Sequence, residues 1–530
     1  MADYLYTMEI RLTPDQSKGV NLVQEVARAA GITLYLTGGA IRDIISGFTI
    51  RDLDFTVQGN PLKLQKDFAR AGAQIAGHDE DVRALFLVLP GNVRAEIGMA
   101  RTETYEKIGR PPAVAPASIQ EDLRRRDFTV NAMALSLNEG SRGLLLDPFN
   151  GVADIEAKLL RILHNYSFVE DPSRLIRATR FAARFHWPLE ERTQQRFDVA
   201  RENKYIEHIS RTAIGHEIAQ LAHEDDPLNV IRALEKEDWL KVLHPHWTSA
   251  KVDTNGLAQL MKTRQQMMDL GYTVDPSAAV MHFLTARLSD KDISDLRRQI
   301  PRKDLVEAWR DIEEHAKALA KRLTGKEAAT PSRTWNLLSS ARPEMVLFLA
   351  VTARNQTVAQ KIKNFLTKWR QVQQRIPLPE MTELLITPQL PEYPKIARDV
   401  FMLLLDGKLR SRTETLKFLK PFAPPPPPPP PPPRRGRGPK AAASAPPVAA
   451  PSGKAAKGKG KAAVAPAAPV PVPMPAAKVA VQAKTKSSSA KSAATTKAHK
   501  AKPAKHSNKA ARSAAKGKKS SKKKPNSRKR

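Results

Sequence analysis

The stretch ITLYLTGGAIRD (residues 32–43), followed nine residues later by DLD (52–54), determines the fold predicted for this chain. ITLYLTGG predicts a strand that enters a glycine turn, and RDLDFTV (51–57) predicts a second strand. Because side chains alternate along a strand, Asp52 and Asp54 should point to the same face. A lone Asp-x-Asp is usually a solvated strand edge, but adjacent carboxylates repel unless a cation lies between them. Two Mg²⁺ ions held this way can bind a nucleoside triphosphate and an attacking hydroxyl.

The glycine turn supports this interpretation. Gly38 and Gly39 let backbone N–H groups approach a phosphate closely, and Arg42 adds positive charge. A Gly-Gly turn before a helix is common on its own, so the phosphate site depends on the nearby Asp pair.

The next strands supply a possible third carboxylate. LFLVL and VRAEIGMA flank Pro-Gly-Asn (90–92), which predicts a hairpin, and Glu96 lies in its second strand. Glu96 either completes the metal site or is an exposed hairpin residue. Helices before Gly31, over 62–71 and over 118–123 should cover a mixed sheet.

Two further segments place arginines beside carboxylates. In EDLRRRDFTVNA (121–132) the charges form either a solvated helix face or a site in which the arginines bind phosphates bidentately and Asp127 accepts from a ribose hydroxyl. We expect the apolar stretch after them to be helical. In EDPSRLIRATR (170–180) Asp171 either caps a helix or, with Arg174, forms an acceptor–donor edge that fits cytosine and adenine and rejects guanine and uracil.

The charge of the chain is concentrated at its C-terminal end. The 530 residues carry a formal net charge of +33, and residues 421–530 hold 27 lysines and arginines with no acidic residue. Ten prolines (424–433) predict a polyproline II rod, and the basic segment beyond lacks apolar residues to bury, so we expect disorder. Such a segment should bind RNA or other polyanions non-specifically.

Composition excludes several classes of protein. The chain has no cysteine, which excludes disulfide scaffolds, thiolate zinc sites and cysteine nucleophiles. It lacks an apolar run long enough for a bilayer and an N-terminal signal pattern, so we expect no membrane association and a cytoplasmic protein. From about residue 155 to 419 the apolar residues recur at helical spacing.

The motifs together resemble the class II tRNA nucleotidyltransferase and poly(A) polymerase family. The likeness runs from Leu34 to Arg184 through GGAIRD, DLD, ARTETY, RRDFTVNAMA, DPFNGVADIEAKLLR and EDPSRLIRATRFAARF. It implies a polymerase-beta-like α/β head followed by an all-helical neck, body and tail. The corresponding limits are 1–154 for the head, 155–225 for the neck, 226–422 for body and tail, and 423–530 for the basic extension.

The resemblance also implies roles for individual residues. Asp52 and Asp54 bind two Mg²⁺ ions, and Glu96 matches the third catalytic carboxylate. The expected nucleotide-binding residues are Gly38, Gly39, Arg42, Arg126, Asp127, Asp171, Arg174, Arg177 and Arg180. The chain departs from the pattern at Thr212-Ala213, where the family usually carries Glu-Arg, although Glu217 four residues later fits.

The implied activity is transfer of CMP and AMP from CTP and ATP to the 3′ end of tRNA, which rebuilds CCA. One alternative is an A-adding enzyme or a poly(A) polymerase. Proteobacterial poly(A) polymerases typically carry Gly-Arg-Arg-Phe soon after the Asp pair, whereas TVQGNPLKLQKDF follows it here. A second alternative is a non-catalytic nucleic-acid-binding protein, which would have no use for the repelling Asp52–Asp54 pair.

Overall fold

A mixed seven-stranded sheet forms the N-terminal part of the chain in the computed structural model, which describes residues 3–425. The strands are β1 (Thr33–Thr37), β2 (Leu53–Gln58), β3 (Gln74–Asp79), β4 (Ala84–Leu89), β5 (Val93–Met99), β6 (Arg101–Thr104), β7 (Ala113–Pro116), β8 (Ala134–Ser136) and β9 (Leu145–Leu146). The sheet order is β3-β4-β5-β2-β1-β8-β9, and β6 and β7 form a separate ribbon. The predicted strands 32–37 and 51–57 and the predicted hairpin are therefore confirmed.

One parallel pairing positions the site. β2 and β5 run parallel with Asp54 opposite Glu96, whereas β2 pairs antiparallel with β1 and β5 with β4. The strand that holds Glu96 thus lies directly beside the strand that holds Asp54.

Six helices accompany the sheet: α1 (Tyr4–Arg11), α2 (Pro14–Ala29), α3 (Gly38–Ser46), α4 (Gln65–Arg70), α5 (Ile119–Arg124) and α6 (Gly151–Ala157). Two of these helices begin at capping boxes, in which side chains bind the first backbone N–H groups. Thr13 and Gln16 form a capping box at α2, and Ser118 and Glu121 form another at α5. The three head helices predicted from the sequence are confirmed as α2, the short helical segment 61–70 that includes α4, and α5.

The expectation of a helix directly after the arginines 124–126 is wrong. A 3₁₀ turn (Thr129–Asn131) is followed by β8, which pairs antiparallel with β1. Every residue from 127 to 137 is buried, so the apolar run has no periodicity to separate a buried strand from a buried helix. The strand form is selected because β1 would otherwise lack a partner on that side.

Every further element of the described residues is a helix. Between Ser167 and Leu221 lie α7 (Ser167–Glu170), α8 (Ser173–Phe185), α9 (Glu191–Glu202) and α10 (Arg211–Leu221). The next helices are α11 (Pro227–Lys236), α12 (Trp239–Leu243), α13 (Thr254–Asp269), α14 (Ser277–Leu284), α15 (Asp290–Gln299) and α16 (Lys303–Thr324). The last are α17 (Pro331–Ser340), α18 (Pro343–Thr352), α19 (Gln356–Leu366), α20 (Lys368–Gln373), α21 (Leu378–Glu383), α22 (Tyr393–Leu405) and α23 (Arg412–Leu419).

The hydrophobic core is continuous between sheet and helices. One cluster of buried residues extends from Met8 to Leu405, and a smaller cluster lies under α21–α23 around Val400 and Leu419. Burial of this apolar surface holds the helical part against the sheet. The α/β head followed by helices is thus as predicted, while the domain limits at 154, 225 and 422 stay predictions.

No helix of the described residues is long and apolar enough to cross a membrane. The expected polyproline rod and basic extension lie, from residue 426 onward, outside the described residues.

Candidate active site

A cavity of about 610 Å³ lies between the sheet and the helices α8 and α10. Twelve of its lining residues are the ones singled out in the sequence: Gly38, Gly39, Arg42, Asp52, Asp54, Glu96, Arg126, Asp127, Asp171, Arg174, Arg177 and Arg180. The structure therefore brings together residues that are up to 142 positions apart in the sequence.

Three carboxylates form one wall of this cavity. Asp52 precedes β2, Asp54 lies on β2 two residues further, and Glu96 is the register partner of Asp54 on β5. Burial, followed by the charges of Glu96 and Asp52, raises the pKa of Asp54 to about 7. These groups therefore repel one another in the absence of a cation.

The glycine turn packs against this wall. Gly38 has a φ of +64°, and the Gly39 N–H donates to Asp54 Oδ2 at 3.1 Å. A Cβ on Gly39 would lie 3.2 Å from Asp54 Oδ2 and one on Gly38 3.1 Å from an Arg126 nitrogen. The turn thus orients Asp54 directly, and in this structure the Gly39 N–H is engaged by a carboxylate.

The donor set fits a hard divalent cation. Carboxylate oxygens are the protein ligands that Mg²⁺ prefers, and it commonly binds through one or two of them plus substrate phosphates. The raised pKa of Asp54 identifies the place where positive charge would relieve the repulsion. Asp52 and Asp54 would hold the cation, with Glu96 beside them.

The arginines after α5 are held by a buried acid. Arg126 donates to Asp122 Oδ2 through Nε and Nη2 at 3.1 and 2.8 Å, and its Nη2 also donates to Thr56. Arg125 binds the other oxygen of the same Asp122. Burial opposes ionisation of Asp122, but Arg126 and Arg125 hold its pKa below the ordinary value. Asp122 thereby fixes the direction in which Arg126 enters the cavity.

Asp127 links this segment to α8. Its Oδ1 accepts from Asn131 and from the Phe128 N–H, and its Oδ2 accepts from Arg177 at 3.0 Å. Burial opposes its charge, yet Arg177 and the bond from Asn131 lower the pKa of Asp127 to about 2. Asp127 is therefore ionised at neutral pH and tied to Arg177.

Asp171 and Arg174 form the opposite wall. Asp171 Oδ1 accepts from the N–H and the hydroxyl of Ser173, the first residue of α8, and lies one residue before Pro172 at the N-cap. Arg174 Nη1 donates to Ser167 Oγ at 2.8 Å and Nη2 to the Arg125 carbonyl at 2.8 Å. The Arg174 Nε is buried without a hydrogen-bond partner among the described residues and lies 3.7 Å from Asp171 Oδ2. One donor and one acceptor are thus left side by side.

Arg177 and Arg180 are clamped by acids of the helical part. Glu217 on α10 accepts from Arg177 Nε at 2.9 Å and from Arg180 Nε at 3.3 Å, and Arg180 also pairs with Glu224 at 2.6 Å. Glu217 is 1% exposed. Glu217, which fits the expected pattern, therefore has a physical role here as the shared partner of Arg177 and Arg180, with Thr212 and Ala213 preceding it on α10.

Sequence reasoning missed several charged residues that line the cavity or hold its lining residues in place. Asp122 had a usable signal, since it lies three and four residues before Arg125 and Arg126 on a predicted helix. The cluster of Arg101, Glu103 and Arg125, in which Glu103 also accepts from the Tyr105 hydroxyl, had no such signal because it depends on the β6–β7 ribbon.

A separate group of possible metal ligands lies in the helical part, at His244, His246 and Asp292. Asp292 Oδ1 contacts His246 Nδ1 at 2.9 Å, and its Oδ2 accepts from the Ser289 hydroxyl that caps α15. None of the three lines the cavity. The capping and histidine contacts account for this cluster, which is not connected with the three carboxylates.

Comparison with known proteins shows what the chain is similar to. The model of the poly A polymerase head domain matches residues 34–161. The A-adding tRNA nucleotidyltransferase of Geobacter sulfurreducens is 26% identical over 394 residues, which are 73% of this chain and 44% of that protein.

Two further relatives match a shorter region at higher identity. The A-adding tRNA nucleotidyltransferase of Halalkalibacterium halodurans is 35% identical over 230 residues, 43% of this chain and 54% of that protein. The CC-adding tRNA nucleotidyltransferase of Deinococcus radiodurans is 42% identical over 165 residues, 31% of this chain and 44% of that protein. The chain spans about half the length of each of these relatives. Residues 34–161 are thus similar to the poly A polymerase head domain, as the motifs predict.

Proposed function

We propose that this protein is an enzyme that adds CMP and AMP from CTP and ATP to the 3′ end of tRNA without a nucleic-acid template, and so rebuilds CCA. The observation that carries the proposal is a single cavity with three carboxylates on one wall and the Asp171–Arg174 edge on the other. The names of the relatives, A-adding and CC-adding tRNA nucleotidyltransferases, support tRNA as the acceptor.

Asp52 and Asp54 would hold two Mg²⁺ ions. When bound, Mg²⁺ would neutralise the triphosphate and favour the 3′-hydroxyl as nucleophile. The protein then contributes by positioning: the Gly39 N–H aims Asp54, and Asp122 aims Arg126 toward the cavity where the phosphates would lie.

Base choice follows from the free donor and acceptor on the opposite wall. Arg174 Nε can donate to the ring nitrogen of cytosine or adenine, while Asp171 Oδ2 accepts from the exocyclic amino group. Uracil and guanine place a carbonyl oxygen opposite the Asp171 carboxylate. Because a carbonyl oxygen and a carboxylate oxygen are both acceptors, no hydrogen bond forms between them. Ser167 and the Arg125 carbonyl keep the guanidinium in this orientation.

The test uses tRNA without its CCA end and tRNA that ends in CC, each with labelled CTP or ATP. CCA addition predicts CMP incorporation into the first acceptor and AMP incorporation into the second. Failure of both reactions with folded protein and Mg²⁺ would reject the proposal.

A second candidate, an A-adding enzyme, is favoured by one observation. The relative from Geobacter sulfurreducens, which matches 73% of this chain, carries that name. This candidate predicts AMP incorporation into tRNA ending in CC and no CMP incorporation into the shorter acceptor, so the same assay separates the two.

We further propose that the basic extension binds RNA or other polyanions non-specifically, because its 27 positive charges are unopposed by acidic residues. A tRNA substrate also favours a cytoplasmic location for the reaction.

A further inference from the structure

We propose that Arg94 is a positioning residue that fixes the carboxylate of Asp52 and ties it to Asp275 in the helical part of the chain. The inference rests on the proposed function, since it takes Asp52 to be a cation ligand. Arg94 lies outside the motifs quoted in the sequence analysis. Its contacts link the sheet to the helical part of the chain.

The strand register places Arg94 beside Asp52. Leu53 is the partner of Ala95 in the parallel β2–β5 pair, so the preceding residues, Asp52 and Arg94, are also neighbours. Arg94 Nη2 lies 2.6 Å from Asp52 Oδ1. Arg94 and Glu96 point to the same face because they are two residues apart on one strand. The sheet thus presents two adjacent pairs, Asp52 with Arg94 and Asp54 with Glu96.

The other end of the guanidinium is anchored outside the sheet. Arg94 Nη1 lies 2.6 Å from His223 Nδ1, just after α10, and 3.6 Å from Asp275 Oδ2, just before α14. Asp275 is itself fixed, because its Oδ1 accepts from the Ser277 N–H at 2.9 Å. The planar fork of arginine therefore spans two carboxylates that belong to different parts of the fold.

The charges around Asp52 indicate that Arg94 positions this carboxylate and does not compete with a bound cation. Asp52, Arg94 and Asp275 sum to −1, which is the charge that Asp52 alone would bring to the site. Arg94 forms an ion pair with Oδ1 that does not have hydrogen-bond geometry, and no hydrogen bond from the described residues engages either oxygen of Asp52. Arg94 can thus orient the carboxylate, while Asp275 offsets the positive charge that would otherwise repel a cation.

The experiment measures Mn²⁺ binding to the full chain by electron paramagnetic resonance of free Mn²⁺. Loss of a group that orients a metal ligand typically weakens metal binding by roughly 10–100-fold. Arg94→Ala should therefore bind Mn²⁺ at least roughly tenfold more weakly. Arg94→Lys, which keeps the charge without the fork, should give an intermediate affinity, and Asp275→Asn should also weaken binding. The exposed Arg70→Ala is the matched control and should leave binding unchanged.

A kinetic readout separates positioning from general damage. Arg94→Ala should raise the Mg²⁺ concentration that gives half-maximal AMP addition, while turnover at saturating Mg²⁺ stays within a few-fold of the parent. Tighter Mn²⁺ binding in Arg94→Ala would show that Arg94 competes with the cation, and unchanged binding in Asp275→Asn would remove the link to the helical part. Unchanged Mn²⁺ binding in Asp52→Ala would instead overturn the assignment of Asp52 as ligand, and with it the proposed function.

Discussion

At the scale of single residues, Asp54 is the group that most directly reports repulsion within the carboxylate wall. Its pKa is raised to about 7, mainly by burial and then by Glu96 and Asp52. Between the ordinary value near 3.8 and about 7, the folded protein binds more protons at Asp54 than the unfolded chain does. Asp54 therefore makes the free energy of unfolding fall as the pH rises through this window.

Replacing Asp54 with Asn should remove that penalty. At pH 8 without divalent cations, the variant should be more stable than the parent by on the order of 1–3 kcal/mol, and at pH 4 the difference should vanish. Urea unfolding in a chelator at the two pH values measures it. An equal difference at both pH values would mean that ionisation of Asp54 is not the cause.

Arg174 tests base choice at the same scale. Its Nε is the donor left free beside Asp171, so Arg174→Ala should reduce discrimination against UTP and GTP by about 1–3 kcal/mol. The measurement is kcat/KM for each nucleotide on tRNA ending in CC. A raised KM with unchanged selectivity would assign Arg174 to phosphate binding instead.

At the scale of elements, the pairing of α8 with α10 depends on buried charge. Glu217 compensates both Arg177 and Arg180, and removal of one partner from a buried ion pair leaves charge without compensation.

Sequence patterns predicted α8 and the strands on either side of the glycine turn, because each has a clear local period. They could not predict that the apolar run after Asn131 pairs as β8, since a short fully buried run has no period. The partners of Arg94 and Arg177 were equally hidden, because they depend on sheet order and helix packing.

Glu217→Ala should therefore cost about 3–5 kcal/mol in the free energy of unfolding. Glu207→Ala is the control, because Glu207 is 66% exposed in its pair with Lys204 and such surface pairs contribute about 0–1 kcal/mol. Urea unfolding of both variants gives the comparison. Equal losses would show that burial of the Glu217 network contributes nothing to stability.

At the scale of the whole molecule, the charge is divided between two regions. Residues 421–530 carry 27 of the 87 lysines and arginines and none of the 54 acidic residues. Each phosphate that such a segment neutralises releases condensed counterions, so affinity for RNA should fall steeply with salt. The cavity and every residue proposed for it lie before residue 425.

Truncation after Phe422 should therefore leave kcat nearly unchanged and weaken RNA binding at low salt. The slope of log affinity against log salt concentration should become shallower, which filter binding over a salt series measures. Equal slopes for the two proteins would contradict a role of the extension in RNA binding. Loss of turnover at saturating tRNA would instead show that it takes part in catalysis.

The central claim is that the three carboxylates on the sheet act on a nucleotide held in this cavity. Single-turnover addition of labelled AMP to tRNA ending in CC, with Asp52→Ala beside the parent in saturating Mg²⁺, tests it most directly. Loss of a metal ligand should reduce the rate by at least roughly a thousandfold, because several kcal/mol of charge stabilisation are lost from the transition state. The Kd for tRNA should stay within a few-fold of the parent. Near-normal addition by Asp52→Ala would contradict the assignment of the site.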